Sequence, residues 1–340
     1  MKLIKTTEAE GHILCHDITG IIAGRKKDAV FRKGHIVTKE DIPVLLSLGK
    51  ENLYIWEYKE GVLHEDEAAE ILCRACLNDN MSRSEPKEGK IEIFSDIDGV
   101  FTADSRRLLE INSLGEMMIA SRHGNTPVKK GDKLAGTRII PLVIEQEKMK
   151  NVENIRTPVF AVRPYVKKRF GLVVTGSEVS KGRIEDGFTP VIEKKLREFG
   201  AEICFRAVSG DDSKVICQAI LDMADKGAEA VLCTGGMSVD PDDRTSLAIR
   251  TTGAEIIAYG APVLPGAMLM MAYLERNGRS VPVAGIPGCA MFSGRTVLDI
   301  ILPLIIADIK IKKEDITAMG EGGLCLGCDI CTYPNCGFGK

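Results

Sequence analysis

The chain has 340 residues, 44% hydrophobic and 27% charged, with 45 basic against 48 acidic side chains and a net charge of −3. That length exceeds one ordinary hydrophobic core and predicts two or more domains, while the composition excludes a disordered or low-complexity chain. The balance of charge, with no long run of one sign, excludes a nucleic-acid-binding tract and a polybasic membrane anchor.

The opening Met1-Lys-Leu-Ile-Lys-Thr-Thr-Glu-Ala-Glu10 carries acids and no apolar stretch, so no signal peptide is expected and the chain is assigned to the cytoplasm. Residues 1–165 lack sustained βα alternation and read as a smaller α+β region. Helices are predicted around Lys39 to Leu48 and Glu65 to Leu77, with Pro86-Lys-Glu-Gly89 as an internal linker. Cys73 and Cys76 fall late in the second helix, behind acids. A reactive thiolate wants a helix N-terminus, so these read as semi-buried thiols. His16 and His35 are isolated and read as solvated or core histidines.

Ile91-Glu-Ile-Phe-Ser-Asp-Ile-Asp-Gly-Val-Phe101 imitates the first motif of haloacid-dehalogenase phosphatases, with Asp96 as nucleophile and Asp98 as general acid. That chemistry also needs a lysine and a further acidic pair on later strands, and none follows before the next domain. A hairpin turn at Asp98-Gly99 is the expectation. Val128 to Val143 has the turn glycines and alternation of a small barrel or hairpin.

From residue 170 short apolar runs alternate with one-sided helical patterns. Strands are predicted at Phe170–Thr175, Glu202–Ala207, Ala230–Thr234, Glu255–Ala258 and Val281–Ile286. Between them lie helices carrying Val191, Ile192, Leu196 and Phe199, then Val215, Ile216, Ala219, Ile220 and Met223, then Asp243 to Ile249, with a long helix from Cys289. Val297 to Ala307 contains Asp299 and Pro303 and is too short for a bilayer, so it is read as a buried helix. The alternation predicts a mostly parallel sheet covered by helices on both faces, whose ligand lies beyond the carboxyl ends of the strands. Cys204, Cys217 and Cys233 fall on apolar faces and read as core.

Two glycine-bearing loops sit at those strand ends, Thr175-Gly-Ser-Glu-Val-Ser-Lys-Gly-Arg-Ile-Glu-Asp-Gly187 and Thr234-Gly-Gly-Met-Ser-Val-Asp-Pro-Asp-Asp-Arg-Thr245. Glycine permits close backbone approach, hydroxyls donate hydrogen bonds, and a following helix directs N–H groups at an anion. Carboxylates at Asp186, Asp242 and Asp243 beside an anion make sense if Mg²⁺ bridges them.

In order along the chain, Thr175, Gly176, Ser177 and Glu178, then Gly182, Ile184 and Asp186, then Gly235, Gly236, Ser238 and Asp243, then Pro265 and Gly266, and finally Gly285 to Gly288 with Pro287 resemble the molybdopterin-binding domain family of molybdotransferases and adenylyltransferases. Gly11 to Thr19 resembles the opening of molybdotransferases. The chain departs from that pattern at Leu264 and Ala267, where lysine is usual beside the Pro-Gly turn, and at Cys289, where asparagine is usual. The Pro241-Asp-Asp-Arg-Thr245 run also resembles the related competence-damage-type domain.

The resemblance implies a three-layer α/β/α molybdopterin-binding domain over 166–310, with molybdopterin held by Thr175, Gly176, Ser177, Glu178, Gly235, Gly236, Ser238, Pro265, Gly266, Pro287 and Gly288. Asp186 and Asp243 would be catalytic, acting through Mg²⁺ on molybdate. Gly235→Val is expected to abolish pterin binding with the fold left largely intact. The expected activity is insertion of molybdate into molybdopterin. The alternatives are a non-catalytic cofactor carrier or sensor and a metal-dependent nucleotide pyrophosphatase. The expected partners are molybdopterin, a client molybdoenzyme and further copies in a homo-oligomer, with neither nucleic acid nor membrane.

Residues 311–340 read as a Cys-rich tail. Cys325-Leu-Gly-Cys328-Asp-Ile-Cys331-Thr-Tyr-Pro-Asn-Cys336 places four of the eleven cysteines in a glycine-rich segment too short for its own core. Ligation of Zn²⁺ or an iron–sulfur cluster is the expected use of these thiols.

Overall fold

The computed structural model describes residues 2–20, 28–55, 60–155 and 158–340. The chain packs as two compact units. The first comprises Met1–Asp96, Ala103–Arg122 and Lys130–Ala161, and the second Ile97–Thr102, His123–Lys129 and Val162–Lys340.

The first unit is α+β. Its largest sheet is antiparallel and takes the order Met81–Arg83, Lys90–Ser95, Lys133–Ile139, Met117–Ser121. The two predicted helices are present at Asp41–Ser47 and Glu65–Cys76. His64 caps the second and Glu67 answers its backbone, a capping box that uses imidazole where Ser or Thr is usual. Cys73 and Cys76 are fully buried, and burial pushes the Cys73 thiol up to about 11. His35 is not isolated, because its Nε2 lies 2.7 Å from Asp41.

Several sequence expectations change here. Pro86 to Gly89 is no linker, since Gly89 turns in the left-handed region (φ 67°) and its N–H donates to Asp66 at 3.0 Å. Nor does Asp98-Gly99 close a hairpin: Gly99–Ala103 leaves the sheet of Lys90–Ser95 and pairs in a three-stranded sheet with Thr126–Val128 and Phe160–Pro164. Gly99 is required by close approach, because a Cβ there would lie 2.3 Å from the Arg163 carbonyl oxygen. The 128–143 stretch, expected to be a small barrel or hairpin, likewise contributes to three different sheets.

The second unit is built on six strands: β1 Arg169–Thr175, β2 Glu202–Ser209, β3 Ala230–Thr234, β4 Glu255–Tyr259, β5 Met270–Arg276 and β6 Arg279–Ile286. Their order is β2-β1-β3-β6-β5-β4, and only β5 runs against the others. β5 lies in the methionine-rich run after Gly266 and is not among the strands predicted from the sequence. Its signal is the turn Asn277-Gly278, with φ of 51° and 70°, the left-handed pair that a tight hairpin needs.

Successive residues of a strand point to opposite faces, and here both faces are covered. Phe170, Leu172 and Val174 pack with Ile192 and Leu196 of α1 (Phe188–Arg197) and with Leu298 and Ile301 of α2 (Val297–Ile306). Val173, Val231 and Cys233 pack on the other face with Ile216, Ile220 and Met223 of the helix Ser213–Asp225 and with Ile249 of the helix Thr245–Thr251. The domain is therefore a three-layer α/β/α sandwich. β2 is an edge strand, half-covered, and its Cys204 is exposed and not core. The helix expected from Cys289 is a short 3₁₀ turn at Gly288–Met291, with the long helix beginning only at Val297 behind a Thr296/Asp299 capping box. Among the described residues no helix is long and apolar enough to cross a membrane.

Candidate functional site at the strand ends

The chain leaves β1 for β2 on one side and returns to β3 on the other, so β1 and β3 diverge at a topological switch point. Crevices of open α/β sheets form there. The loops that follow β1 and β3 are the two glycine loops read from the sequence.

A hydroxyl pair stitches them together. Thr175 Oγ1 donates to the Thr234 carbonyl at 3.1 Å and lies 2.9 Å from Thr245 Oγ1, all three residues being buried. Glycine is obligatory beside this pair. Gly235 (φ 85°) would place a Cβ 2.3 Å from the Thr175 carbonyl oxygen, and Gly236 (φ 56°) would place one 2.6 Å from Thr245 Oγ1. The expectation that Gly235→Val spares the fold is thus overturned, because the side chain would drive into the backbone of the first loop. Between the loops, Thr234 Oγ1 is buried and has no hydrogen-bond partner among the described residues.

The predicted residues of the first loop are already engaged. Ser177 donates its N–H to Asp211 at 3.0 Å and its hydroxyl at 2.5 Å. Asp211 follows β2 at the same end of the sheet, and sequence reading missed it although Ser209-Gly-Asp-Asp212 is a strand-end turn. Glu178 is exposed, and its carbonyl accepts from Arg183 N–H at 2.8 Å.

Asp186 accepts from Phe188 N–H at 2.8 Å and Thr189 N–H at 3.1 Å on one oxygen, and from the Thr189 hydroxyl and Arg206 (2.8 Å) on the other. A carboxylate offers about four acceptor positions, and these four donors take them up. Burial opposes the charge, yet the bonds to Thr189 and Arg206 hold the Asp186 carboxyl below its usual range. Asp243 is less committed: it is half-exposed, and one oxygen accepts from Ser238 N–H at 2.8 Å, closing the second loop on itself.

The remaining turns meet at the start of α2. Pro265 accepts from Val297 N–H at 3.1 Å, and Gly266 (φ 134°) abuts Val297 so closely that a Cβ would lie 2.6 Å from it. Pro287 is buried, whereas Gly288 is exposed and a Cβ there would meet nothing within 4 Å. Behind the turns lies an ion network invisible in the sequence: Lys195 reaches both oxygens of Asp299 at 2.7 and 2.8 Å, and Arg295 bridges Asp299 (2.8 Å) and Glu198 (3.1 Å).

Cys325, Cys328, Cys331 and Cys336, expected to ligate Zn²⁺ or an iron–sulfur cluster, are not drawn together around a single point. Among the described residues no group of three or more His, Cys, Asp or Glu side chains could hold a metal ion. The four thiols instead line one cavity of about 380 Å³.

Comparisons with known proteins bear on this arrangement. Residues 171–307 match the family model described as a probable molybdopterin binding domain, and residues 3–57 match a domain of unknown function (DUF8806). A CinA-like protein of Mycobacterium avium is 34% identical over 113 residues, 33% of this chain and 26% of that protein. The chain thus spans about a quarter of the length of such curated relatives. The tungsten cofactor synthesizing protein MoaB from Pyrococcus furiosus is 19% identical, with a TM-score of 0.34, over 41% of this chain and 90% of that one. The molybdopterin biosynthesis enzyme MoaB from Thermus thermophilus is 18% identical, with a TM-score of 0.33, over 40% and 91%. With the glycine loops on the β1 and β3 ends and the family match running through both, residues 171–307 are a domain of the molybdopterin-binding family.

Proposed function

We propose that the second unit binds molybdopterin at the β1/β3 switch point and that the protein inserts molybdate into it. The observation that carries this reading is the stitching of the two glycine loops by Thr175 and Thr245, which presents both as one rim at the ligand end of the sheet. The residues fit a pterin phosphate in two respects. Thr234 supplies a buried hydroxyl lacking a partner among the described residues, and Gly288 leaves open space where a side chain would stand.

Within this reading the two predicted carboxylates have different roles. Asp186, with its acceptor positions occupied, is assigned to holding the first loop against α1 and β2. Asp243 is assigned to the Mg²⁺ or molybdate, since a carboxylate facing an anionic pterin needs a cation or oxoanion centre between them. Molybdopterin when bound supplies the dithiolene sulfurs that receive molybdenum.

The test is the molybdenum-to-pterin ratio after incubation of purified protein with molybdopterin, molybdate and Mg²⁺. The ratio should rise in the wild type. Asp243→Asn keeps an acceptor for Ser238 N–H, so it should bind pterin at least as tightly while the ratio stays flat. A wild-type rise in the variant removes Asp243 from catalysis, and no rise in the wild type favours a carrier that hands cofactor to a client enzyme.

A second reading is favoured by the CinA-like relatives and by Pro241-Asp-Asp-Arg-Thr245: Mg²⁺-dependent cleavage of a nucleotide pyrophosphate bond. Hydrolysis of such a nucleotide by protein that retains no pterin would select it.

A further inference from the structure

The last twenty residues have no helix or strand, yet they are pinned to the second unit at both ends. Leu264 N–H donates to the Gly323 carbonyl and Cys325 N–H to the Leu264 carbonyl, each at 2.8 Å. At the far end Gly339 N–H returns to Gly322 at 2.9 Å, while the Tyr333 hydroxyl donates to the Asp299 carbonyl of α2 at 2.9 Å. Phe338 is buried in the core beneath α2. Residues 322–339 therefore form a compact loop whose ends meet, of the kind whose interior is lined by its own side chains.

That interior is the cavity of about 380 Å³, and all four thiols line it together with Leu324, Tyr333 and Phe338. Cys325 and Cys336 are half-buried against the core, and Cys328 and Cys331 are exposed at the mouth. None of the four is in a disulfide. Gly327, in the left-handed region at φ 63°, reverses the chain between the first two cysteines.

From this geometry we propose that the loop is an iron–sulfur cluster site ligated by Cys325, Cys328, Cys331 and Cys336. Four thiolates around one Zn²⁺ at about 2.3 Å would bring their sulfurs within roughly 4 Å of each other. The cavity that the four thiols line, about 380 Å³, is larger than a single ion needs and has room for an inorganic core, and a [4Fe–4S] cluster is the four-cysteine species of that kind. Tyr333 and Phe338 shield the inner pair, Cys325 and Cys336, from water, and such shielding is one way a protein tunes a centre of this kind. On assembly each thiol releases its proton to solvent as it ligates iron, and both ferrous iron and sulfide come from outside the chain. Arg295, a further lining residue, stands 5.1 Å over the Tyr333 ring and offers a cation beside a site that four thiolates make anionic. The inference does not rest on the pterin reading, because none of these residues belongs to the glycine loops.

The experiment is anaerobic reconstitution of the full chain with ferrous iron, sulfide and a thiol reductant, followed by desalting. The wild type should retain about four iron and four acid-labile sulfide per chain and a broad visible charge-transfer absorbance. Cys328→Ser and Cys331→Ser, both exposed, should keep the thermal midpoint and circular dichroism of the metal-free wild type and lose the absorbance and most of the sulfide. Cys204→Ser, whose thiol is exposed elsewhere on β2, should retain both. The proposal is overturned if the wild type keeps no labile sulfide, if it keeps one metal ion per chain without sulfide, or if the Cys328 and Cys331 variants assemble the chromophore as well as the wild type does.

Discussion

The hydroxyls of Thr175 and Thr245 lie 2.9 Å apart although seventy residues of sequence separate them. Thr175 ends the strand that opens the domain and Thr245 begins the helix after the second glycine loop, so this one contact sets the spacing of both loops. Thr245→Val keeps the shape and removes the partner. It should lower stability by about 1–2 kcal/mol, the ordinary effect of breaking a buried hydrogen bond, and should weaken pterin binding through loosened loops. Ser238→Ala touches only a side chain on an exposed loop and should change stability by less than about 0.5 kcal/mol. Denaturant unfolding followed by circular dichroism distinguishes the two, and equal effects would remove the hydroxyl pair as the clamp.

Glycines in the two loops should divide into those the fold requires and those a ligand requires. At Gly235 a Cβ meets the Thr175 carbonyl oxygen at 2.3 Å with φ at 85°, so Gly235→Ala should cost about 2–4 kcal/mol. Gly288 is exposed with open space around its Cβ, so Gly288→Val should leave the unfolding midpoint near that of the wild type and lower pterin affinity. Pterin bound equally by Gly288→Val and wild type would move the ligand away from the closing turn.

In the first unit, burial with Asp66 alongside raises the Glu65 carboxyl to about 7 from an ordinary 4.5. Between those two values the folded protein holds a proton that the unfolded chain has released, so stability from this group falls as pH rises through the window and levels off above it. Glu65→Gln cannot lose a proton. Relative to the wild type it should gain stability progressively from about pH 4.5 to 7, by at most a few kcal/mol, and the gain should be absent at pH 4. A difference between the two proteins that does not vary with pH would show that the side chain acts through packing alone.

The sequence by itself determined the repeating βα pattern of residues 170–306, the two glycine loops at the strand ends and the family they resemble. These are local signals, because strand and helix periodicity and the need for glycine at a tight turn are written within a few residues of one another. β5 is not among the predicted strands, although Asn277-Gly278 marks the tight turn at its end. What only the tertiary structure decided depends on residues far apart in the chain. Asp186 reads as an unengaged carboxylate in its loop, but Arg206 arrives from β2 and takes one of its acceptor positions beside those taken by Phe188 and Thr189. Ser177 looks like an anion donor until Asp211 takes both its N–H and its hydroxyl. Gly99 reads as a hairpin residue, but it serves the approach of the Phe160–Pro164 strand. The four tail cysteines are close in sequence, yet it is the anchors at Leu264, Asp299 and Gly322 that bring them to the lining of one cavity. Spacing along a chain fixes which groups are available, whereas their distances and their competing partners are properties of the packed elements that carry them.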